Sequence, residues 1–450
     1  MIINNKWAKY TYWYFSLILV YLASCTMQQK KTEKESDYYT ISKTEPILEK
    51  TIIKESYEQQ VYSNEIKSIE IGVKNLKSGE PCYKINSGEP LQVDFDLLNE
   101  HAAAIQFELI HCDRNWVKSD LMEMEYIEGY ASDFIEGITI SSGTINQYIH
   151  YKFNIPNNNT KFLISGNYIL KVFEEDQNDA PLFTVKIFVS EQTSDINFKL
   201  LESNDMEQRK YLQSYELNCT FNSSAIEDPY NNIHVNIQQN HQEFDEQWLS
   251  GPNFIRENKL VFLPTEERTF NGGNEFRFFD ISSFRSGSQK VEKLFFEENE
   301  YHVILKKEPK RSYKQYLEYK DLDGRSFIRS YDADDASSEG EYGIVHFELP
   351  IREILEENVF LFGQLTNWTI DEKHQMKYDS ITKSYKCEQL LKQGYYNYIY
   401  VTKKGDFITT RQLEGAHFDA NNEYVVKVYY LDPVNLYDRL LSYQVFKIIT

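Results

Sequence analysis

Residues 150–174 read HYKFNIPNNNTKFLISGNYILKVFE and contain two short alternations of apolar and polar side chains. In the first, Tyr151, Phe153 and Ile155 recur at every second position, and the same pattern starts again at Tyr168. A period of two places such side chains on one face of a strand, so each stretch predicts a strand with one buried face. The Pro-Asn-Asn-Asn segment between them has the composition of a turn.

Similar alternations recur downstream, at residues 345–349 and 424–430, whereas few windows show a long helical period. Regularly spaced short strands separated by turns are typical of β-sandwiches. The sequence therefore predicts a mainly β chain with several tandem β-sandwich domains of immunoglobulin-like or early-set type.

Polar segments divide the chain into three parts, which is the number of domains expected for a length of 450 residues. Residues 190–195 are polar and follow a strand-like stretch, and residues 332–343 are rich in Asp, Ser, Glu and Gly. These segments predict three sandwich domains, at residues 66–190, 196–330 and 342–431.

Residues 1–24 have the features of a bacterial lipoprotein signal peptide. Lys6 and Lys9 precede an apolar run at residues 13–23, which is short for a transmembrane helix. The run leads into Leu-Ala-Ser-Cys, which resembles a lipobox with Cys25 as the lipid-bearing first mature residue. We therefore expect a lipid-anchored protein of the outer membrane.

Residues 25–65 are polar and rich in Lys, Glu and Ser, which predicts a tether. The alternative is an ordered strand packed on a domain. The first residues after Cys25 are basic rather than acidic, and this favours a periplasm-facing protein over a surface-exported one.

The charge balance excludes some classes of protein. The chain has 69 acidic and 48 basic residues, a formal net charge of -21, and such a surface repels nucleic-acid phosphates. Only the N-terminal run is long and apolar enough to concern a membrane, which excludes a polytopic helical membrane protein.

No motif predicts a catalytic, metal or cofactor site. The chain lacks HExxH, GxSxG, a P-loop and a dinucleotide fingerprint. The carboxylates leave open a hydrolase with an unrecognised acidic pair, although no spacing selects one. Buried free thiols are expected for most cysteines of the mature chain, and Cys82 with Cys112 is the one pair worth testing.

Two loop tryptophans are candidates for contact with a ligand or partner. Trp116 follows His-Cys-Asp-Arg-Asn, and Trp368 follows Gly-Gln-Leu-Thr-Asn. Loop aromatics can stack on sugars or anchor a protein partner. The alternative for both is core packing.

Taken together, these motifs resemble the plug protein family of the type IX secretion system of Bacteroidetes. The resemblance covers nearly the whole mature chain. Its structural or interface positions in this sequence are Asp94, Asp96, His111, Cys112, Asp113, Trp116, Asp120, Gly129, His150, Tyr151, Asn167, Tyr168, Arg277, Asp280, Asn367 and Trp368.

The resemblance implies a mechanical rather than a catalytic role. Plug proteins associate with the outer-membrane translocon β-barrel of this system and close its periplasmic opening. The expected partners are therefore that barrel and the membrane, through the lipid on Cys25, with no cofactor, small-molecule substrate or nucleic acid.

The predicted third domain is also similar to immunoglobulin-like glycogen-binding modules. In those modules a loop tryptophan stacks on glucose, and Trp368 stands at the corresponding position here. The alternative function is therefore a glycan-binding lipoprotein of a polysaccharide-uptake system.

Overall fold

The computed structural model describes residues 55–73, 79–203, 205–221, 226–249 and 251–448. They belong to one compact unit, Lys54–Thr450. The predicted signal peptide, Cys25 and the tether as far as residue 54 lie outside the described residues. Among those described, no helix is long and apolar enough to cross a membrane.

The prediction of a mainly β chain with several sandwiches is confirmed. The N-terminal part contains one short helix, α1 (Glu123–Tyr126). Its strands are β1 (Gln60–Val61), β2 (Ile66–Val73), β3 (Cys82–Lys84), β4 (Leu91–Leu97), β5 (Ile105–Cys112), β6 (Ile127–Gly129), β7 (Ser132–Phe134), β8 (Gly137–Ile140), β9 (Ile149–Ile155), β10 (Thr160–Phe162), β11 (Gly166–Glu174) and β12 (Phe183–Ser190).

The first sandwich packs the sheet β1-β12-β11-β5-β7 against the sheet β2-β4-β9-β8. The short strand β3 runs parallel to β12. In β4, Val93 and Phe95 enter the core between the sheets and are fully buried. Because strand side chains alternate, Asp94 and Asp96 lie on the opposite face of the same strand.

The end of the predicted tether is part of this sandwich. Strand β1 pairs with β12, and Ser56 forms a bridge with Val117. For residues 55–65 the alternative of an ordered segment packed on a domain is therefore correct.

Among its described residues, the rest of the chain has helices α2 (Pro229–Asn232), α3 (Ala336–Glu339) and α4 (Arg411–Glu414) and three short 3-10 turns. Its strands are β13 (Ser194–Glu202), β14 (Leu212–Phe221), β15 (Ile233–Gln239), β16 (Gln247–Leu249), β17 (Phe254–Arg256), β18 (Lys259–Phe262), β19 (Thr269–Asn271), β20 (Arg277–Asp280), β21 (Val291–Glu297), β22 (Glu300–Leu305), β23 (Ser326–Ile328), β24 (Tyr342–Pro350), β25 (Asn358–Phe362), β26 (Gln375–Asp379), β27 (Ser384–Lys392), β28 (Gly394–Lys404), β29 (Phe407–Thr409), β30 (Asn422–Asp432) and β31 (Tyr437–Ile448).

The second sandwich combines two distant parts of the chain. One sheet has the order β13-β14-β18-β17, and the other has the order β16-β15-β30-β31. Its core joins Leu217 of β14 to Val235 of β15 and Val426 of β30. The C-terminal hairpin β30–β31 therefore completes this sandwich.

The third sandwich is one sheet of ten strands, with the central order β20-β28-β25-β26-β27-β24-β22-β21. Phe279 of β20, Phe347 of β24 and Tyr398 of β28 meet in one core, with ring centroids 5.3 to 5.8 Å apart. Strands from distant positions in the sheet share this core, so the sheet folds over on itself.

The predicted boundaries of the second and third domains, 196–330 and 342–431, are wrong. Strands β20 and β23 pair with β28, and β22 pairs with β24, which joins residues from both sides of residue 342. Strand β30 leaves the predicted third domain and pairs with β15. Apolar alternation identifies a strand but not its partner, and the polar segment at residues 332–343 lies within the third sandwich instead of between two domains.

Candidate functional site

The face of β4 that carries Asp94 and Asp96 holds a buried cluster of charges. His150 on β9 lies between them, with Nδ1 2.7 Å from Oδ1 of Asp96 and Nε2 3.3 Å from Oδ1 of Asp94. Lys392 of the third sandwich donates to Oδ2 of Asp96 at 2.6 Å, and the Tyr342 hydroxyl donates to the same oxygen at 2.6 Å. The predicted residues of β4 and β9 therefore join the first sandwich to the third.

Burial and the neighbouring charges have opposite effects on the pKa values of this cluster. Burial by itself lowers the pKa of His150, but Asp94 and Asp96 outweigh it and raise that pKa above its ordinary value. For Lys392, burial lowers the pKa and outweighs the opposing effect of Asp96. The Lys392 ammonium also lies 4.0 Å from the ring centroid of Tyr148, a favourable cation–π distance.

A second contact between these sandwiches surrounds Glu341. Its carboxylate accepts hydrogen bonds from the backbone N–H groups of Ile145, at 2.5 Å, and Asn146, at 3.2 Å. The Tyr148 hydroxyl donates to the carbonyl of Gly340 at 2.9 Å. This loop of the first sandwich is therefore fixed to the start of β24.

The first and second sandwiches meet through the C-terminal hairpin. Arg114 contacts Asp438 with both its side chain, at 2.7 Å, and its backbone N–H, at 3.0 Å. Tyr429 of β30 donates to the side-chain oxygen of Asn167 at 2.9 Å. Arg439 and Glu191 add a two-pronged ion pair at 2.8 and 2.9 Å.

Asp113 and Trp116 shape the loop that follows β5. Oδ1 of Asp113 accepts from the N–H groups of Asn115 and Val117 at 2.8 and 2.9 Å. Trp116 adopts a left-handed backbone, with φ of 65°, and its ring packs edge-on against Phe188 at 5.4 Å. For Trp116 the structure thus favours packing, at the interface between the first two sandwiches.

His111 and Cys112 are buried at the end of β5. His111 lies 2.9 Å from the Ser119 hydroxyl, and burial lowers its pKa to about 4. Burial likewise raises the pKa of Cys112 to about 12, so the thiol is protonated at neutral pH. All four cysteines among the described residues are free, so Cys82 and Cys112 do not form a bridge.

Four further predicted positions of the first sandwich have separate places. The hydroxyls of Tyr151 and Tyr168 donate to the carbonyls of Ala103 and Ile164, both at 2.9 Å. Gly129 has φ of 100°, and a Cβ there would meet the Asn159 carbonyl at 1.9 Å. The fourth, Asp120, is exposed.

Arg277 and Asp280 organise the third sandwich from strand β20. The guanidinium of Arg277 is fully buried and donates to Glu414 at 2.9 Å, and Arg311 donates to the same carboxylate at 2.7 Å. Asp280 accepts from Arg329 at 2.6 Å. These bonds all lie within the third sandwich, so they do not connect Arg277 or Asp280 to the other two sandwiches.

The three sandwiches converge on a cleft of about 530 Å³, here called the junction cleft. The backbone carbonyl of Asn367 accepts from Gln59 of the first sandwich at 2.7 Å. The ring of Trp368 lies 4.6 Å from that of His241 in the second sandwich and 5.8 Å from that of Phe362. The third sandwich thus contributes the predicted pair Asn367 and Trp368 to the wall of the cleft.

Each sandwich supplies one side of an ion cluster at the same cleft. Arg325 of the third sandwich donates through Nη2 to Glu80 of the first and Glu423 of the second. His241 Nε2 lies 2.8 Å from that nitrogen and within 3.5 Å of both carboxylates. The Tyr443 hydroxyl also donates to Glu80.

Glu80, His241 and Glu423 have the spacing of a metal-binding set, since their ligand atoms lie within 4.8 Å of one another. However, the guanidinium nitrogen of Arg325 already contacts all three groups, and so the chain's own cation sits among these ligands. Burial raises the pKa of Glu80, but the charges of His241 and Arg325 outweigh it and hold that pKa below its usual range.

The residues that complete these contacts have no recognisable pattern in the sequence. They are Lys392, Glu341, Glu414 and the members of the cluster at the junction cleft. Each pairs with a residue far away in the chain, for example 296 positions in the case of Lys392 and Asp96. No local spacing contains that signal.

Residues 66–191, which form the first sandwich from β2 onward, match the family described as the type 9 secretion system plug protein 1st domain. The chain carries a type IX plug domain. The predicted family resemblance is therefore confirmed over residues 66–191, and this domain points to a role associated with type IX secretion.

The likeness to a solved structure extends beyond the plug domain. A hypothetical protein from Parabacteroides merdae is 29% identical, with a TM-score of 0.85, over 88% of this chain and 100% of that chain. Trypsin-activated alpha-2-macroglobulin from Escherichia coli aligns with a TM-score of only 0.16 and 10% identity, over 85% of this chain and 28% of that chain. No curated protein matches the chain.

Several family positions of the plug domain serve its contacts with the other two sandwiches. Asp96 accepts hydrogen bonds from Lys392 and Tyr342, and Asn167 accepts one from Tyr429. The arrangement can therefore hold three sandwiches in fixed relative positions around the junction cleft.

Proposed function

We propose that this protein is a non-enzymatic, lipid-anchored component of the type IX secretion system that binds the outer-membrane translocon barrel and plugs its periplasmic opening. The observation that carries the proposal is the match of residues 66–191 to the plug family. The likeness to the Parabacteroides merdae structure supports a Bacteroidetes setting.

The links between the sandwiches support a mechanical role. A body that closes a pore has to keep its shape against thermal motion and solute flow. Separate domains usually move relative to one another unless their interface is extensive. Here, buried ion pairs and an apolar cluster cross the interfaces, including Phe188 of the first sandwich against Tyr443 of the second.

The lipid would confine the plug to the membrane in which the barrel lies. Two or three acyl chains on Cys25 anchor a protein stably, where one chain would be marginal. Confinement raises the effective concentration at the pore, so a modest affinity for the barrel suffices.

The test of barrel binding is an affinity purification of the tagged full-length protein from gently solubilised outer membranes, followed by mass spectrometry. We expect a very large β-barrel protein to co-purify. A Cys25→Ser variant is the matched control for the lipid and should shift to the soluble fraction. Recovery of glycan-uptake components instead of the barrel would contradict the proposal.

The test of plugging is the entry of a large hydrophilic dye into cells that lack the gene. We expect increased entry, restored to the normal level by the wild-type gene. An outer membrane that stays equally tight without the protein would refute plugging, even if the barrel co-purifies. A saccharide titration of the wild type and Trp368→Ala checks the glycan-binding alternative.

A further inference from the structure

One edge of the first sandwich exposes apolar side chains on two terminal strands. Strand β8 ends the sheet β2-β4-β9-β8, and β7 ends the opposite sheet. Ile138 and Ile140 of β8 are 42% and 62% exposed, and Phe134 of β7 is 47% exposed. We call these three residues, with the backbone of β8, the apolar edge.

The backbone of β8 presents hydrogen-bonding groups away from its sheet. Ile138 lies opposite Tyr151, and Ile140 lies opposite Ile149. The next residue, Ser141, donates its backbone N–H to the carbonyl of Tyr148 at 2.9 Å. This bond shows which residues of β8 face β9 with their N–H and C=O groups and which face away. In an antiparallel pair only every second residue bonds to its partner strand, so the N–H and C=O groups of Ile138 and Ile140 point outward.

The sequence of this strand lacks the usual protection of a sheet edge. Native edges are commonly blocked by a charged side chain, a proline or a bulge. Strand β8 reads Gly-Ile-Thr-Ile and contains none of these. Its free edge is therefore suited to receive an additional strand.

The surroundings of the apolar edge are acidic. Residues 119–151 include six carboxylates and no Lys or Arg, and the exposed Lys152 of β9, opposite Gly137, is one base beside the strand. The neighbouring segment of the third sandwich, residues 332–341, adds acids and no base, and Ser338 in it accepts a hydrogen bond from Ser142 at 3.0 Å. The exposed pair of Lys161 with Glu128, at 3.0 Å, offsets one of these charges.

We propose that the apolar edge binds an extended segment of another protein in which apolar residues alternate with Lys or Arg, added as a strand to β8. Backbone bonds to Ile138 and Ile140 would supply affinity, and the acidic surroundings would select a basic partner. A second copy of this chain is disfavoured, because two such acidic edges would repel each other. The inference goes beyond the proposed function, because it does not depend on which protein supplies the strand.

The probe is a synthetic eight-residue peptide of alternating valine and lysine, titrated against the full mature protein by fluorescence anisotropy. Its control is the valine–glutamate peptide of equal length. We expect the lysine peptide to bind, the glutamate peptide not to bind, and binding to weaken with added salt. Hydrogen exchange of the Ile138 and Ile140 amides should slow in the complex.

Two variants test the site itself. Ile140→Lys should weaken binding by roughly tenfold or more, because it adds repulsion at the edge. The same change at Ile354, which is 69% exposed on the third sandwich, should leave binding unchanged. Ile140→Pro should also abolish binding, since it removes an outward N–H without disturbing the bonds to β9.

Failure of the lysine peptide to bind, equal binding of both peptides, or unchanged binding by Ile140→Lys would overturn the inference. These outcomes are separate from the co-purification of the barrel. A protein that binds the peptide but not the barrel would refute the proposed function alone, and the reverse result would refute the apolar edge alone.

Discussion

Lys392 shows what a single residue contributes to this molecule. Its side chain is 1% exposed, and its ammonium bridges the carboxylate of Asp96 and the carbonyl of Ser337. Removing one partner of a buried pair leaves the other charge without compensation in a poorly solvating environment. The interaction therefore matters more through the cost of breaking it than through the strength of the pair itself.

We predict that Lys392→Met destabilises the protein by at most about 3–5 kcal/mol, the usual cost of orphaning a buried charge, because Asp96 keeps its contacts with His150 and Tyr342. The measurement is the free energy of unfolding in urea. Lys404→Met is the matched control, because Lys404 forms a pair with Glu356 at a similar distance, 2.7 Å, on the surface. Exposed pairs contribute little, so the control should unfold like the wild type. Equal stability of both variants would contradict this role of the buried pair.

The sequence identified one half of this cluster. Asp94, Asp96 and His150 are among the positions that carry the family resemblance, but only the pairing of β4 with β9 in the structure brings them together. The positions of Lys392 and Tyr342 could not be predicted, because they depend on how two sandwiches pack. Burial of a charge is a property of that packing, and a local pattern of residues does not encode it.

At the scale of elements, strand β30 illustrates the limit of pattern recognition. The alternation of Tyr424, Val426 and Val428 predicts a strand, and the structure contains it. Its partners, β15 and β31, lie in different parts of the chain. The pattern therefore predicts the strand correctly but not the sandwich to which the strand belongs.

This assignment leads to a prediction about isolated fragments. A fragment of residues 342–431 lacks β20, β22 and β23 and includes β30 without a partner, so it should be unfolded. A fragment of residues 274–416 contains all the strands of the third sandwich and should fold, although with reduced stability because Lys392 loses Asp96. Circular dichroism and proton NMR dispersion distinguish the two outcomes. A folded 342–431 fragment would contradict the pairing of β20 and β23 with β28.

At the scale of the whole molecule, Arg325 is the residue at which the three sandwiches meet. It is 9% exposed and contacts one carboxylate from each of the other two sandwiches. His241 and Arg325 together lower the pKa of Glu423, despite the burial that raises it, and the two carboxylates raise the pKa of Arg325 itself, against the burial that lowers it. The ionised state of the cluster is thus coupled to the docked arrangement of the sandwiches.

We predict that Arg325→Met separates the unfolding of the sandwiches. Glu80 and Glu423 would face each other near His241 without the guanidinium, so their repulsion would act against docking. Calorimetry should then resolve more than one transition, and small-angle scattering should give a larger radius of gyration below the first of them. Arg285→Met is the control, because Arg285 is 80% exposed and lies 3.9 Å from its nearest carboxylate. A single transition at the wild-type temperature in Arg325→Met would show that the apolar contact between β12 and the C-terminal hairpin holds the body together without this ion cluster.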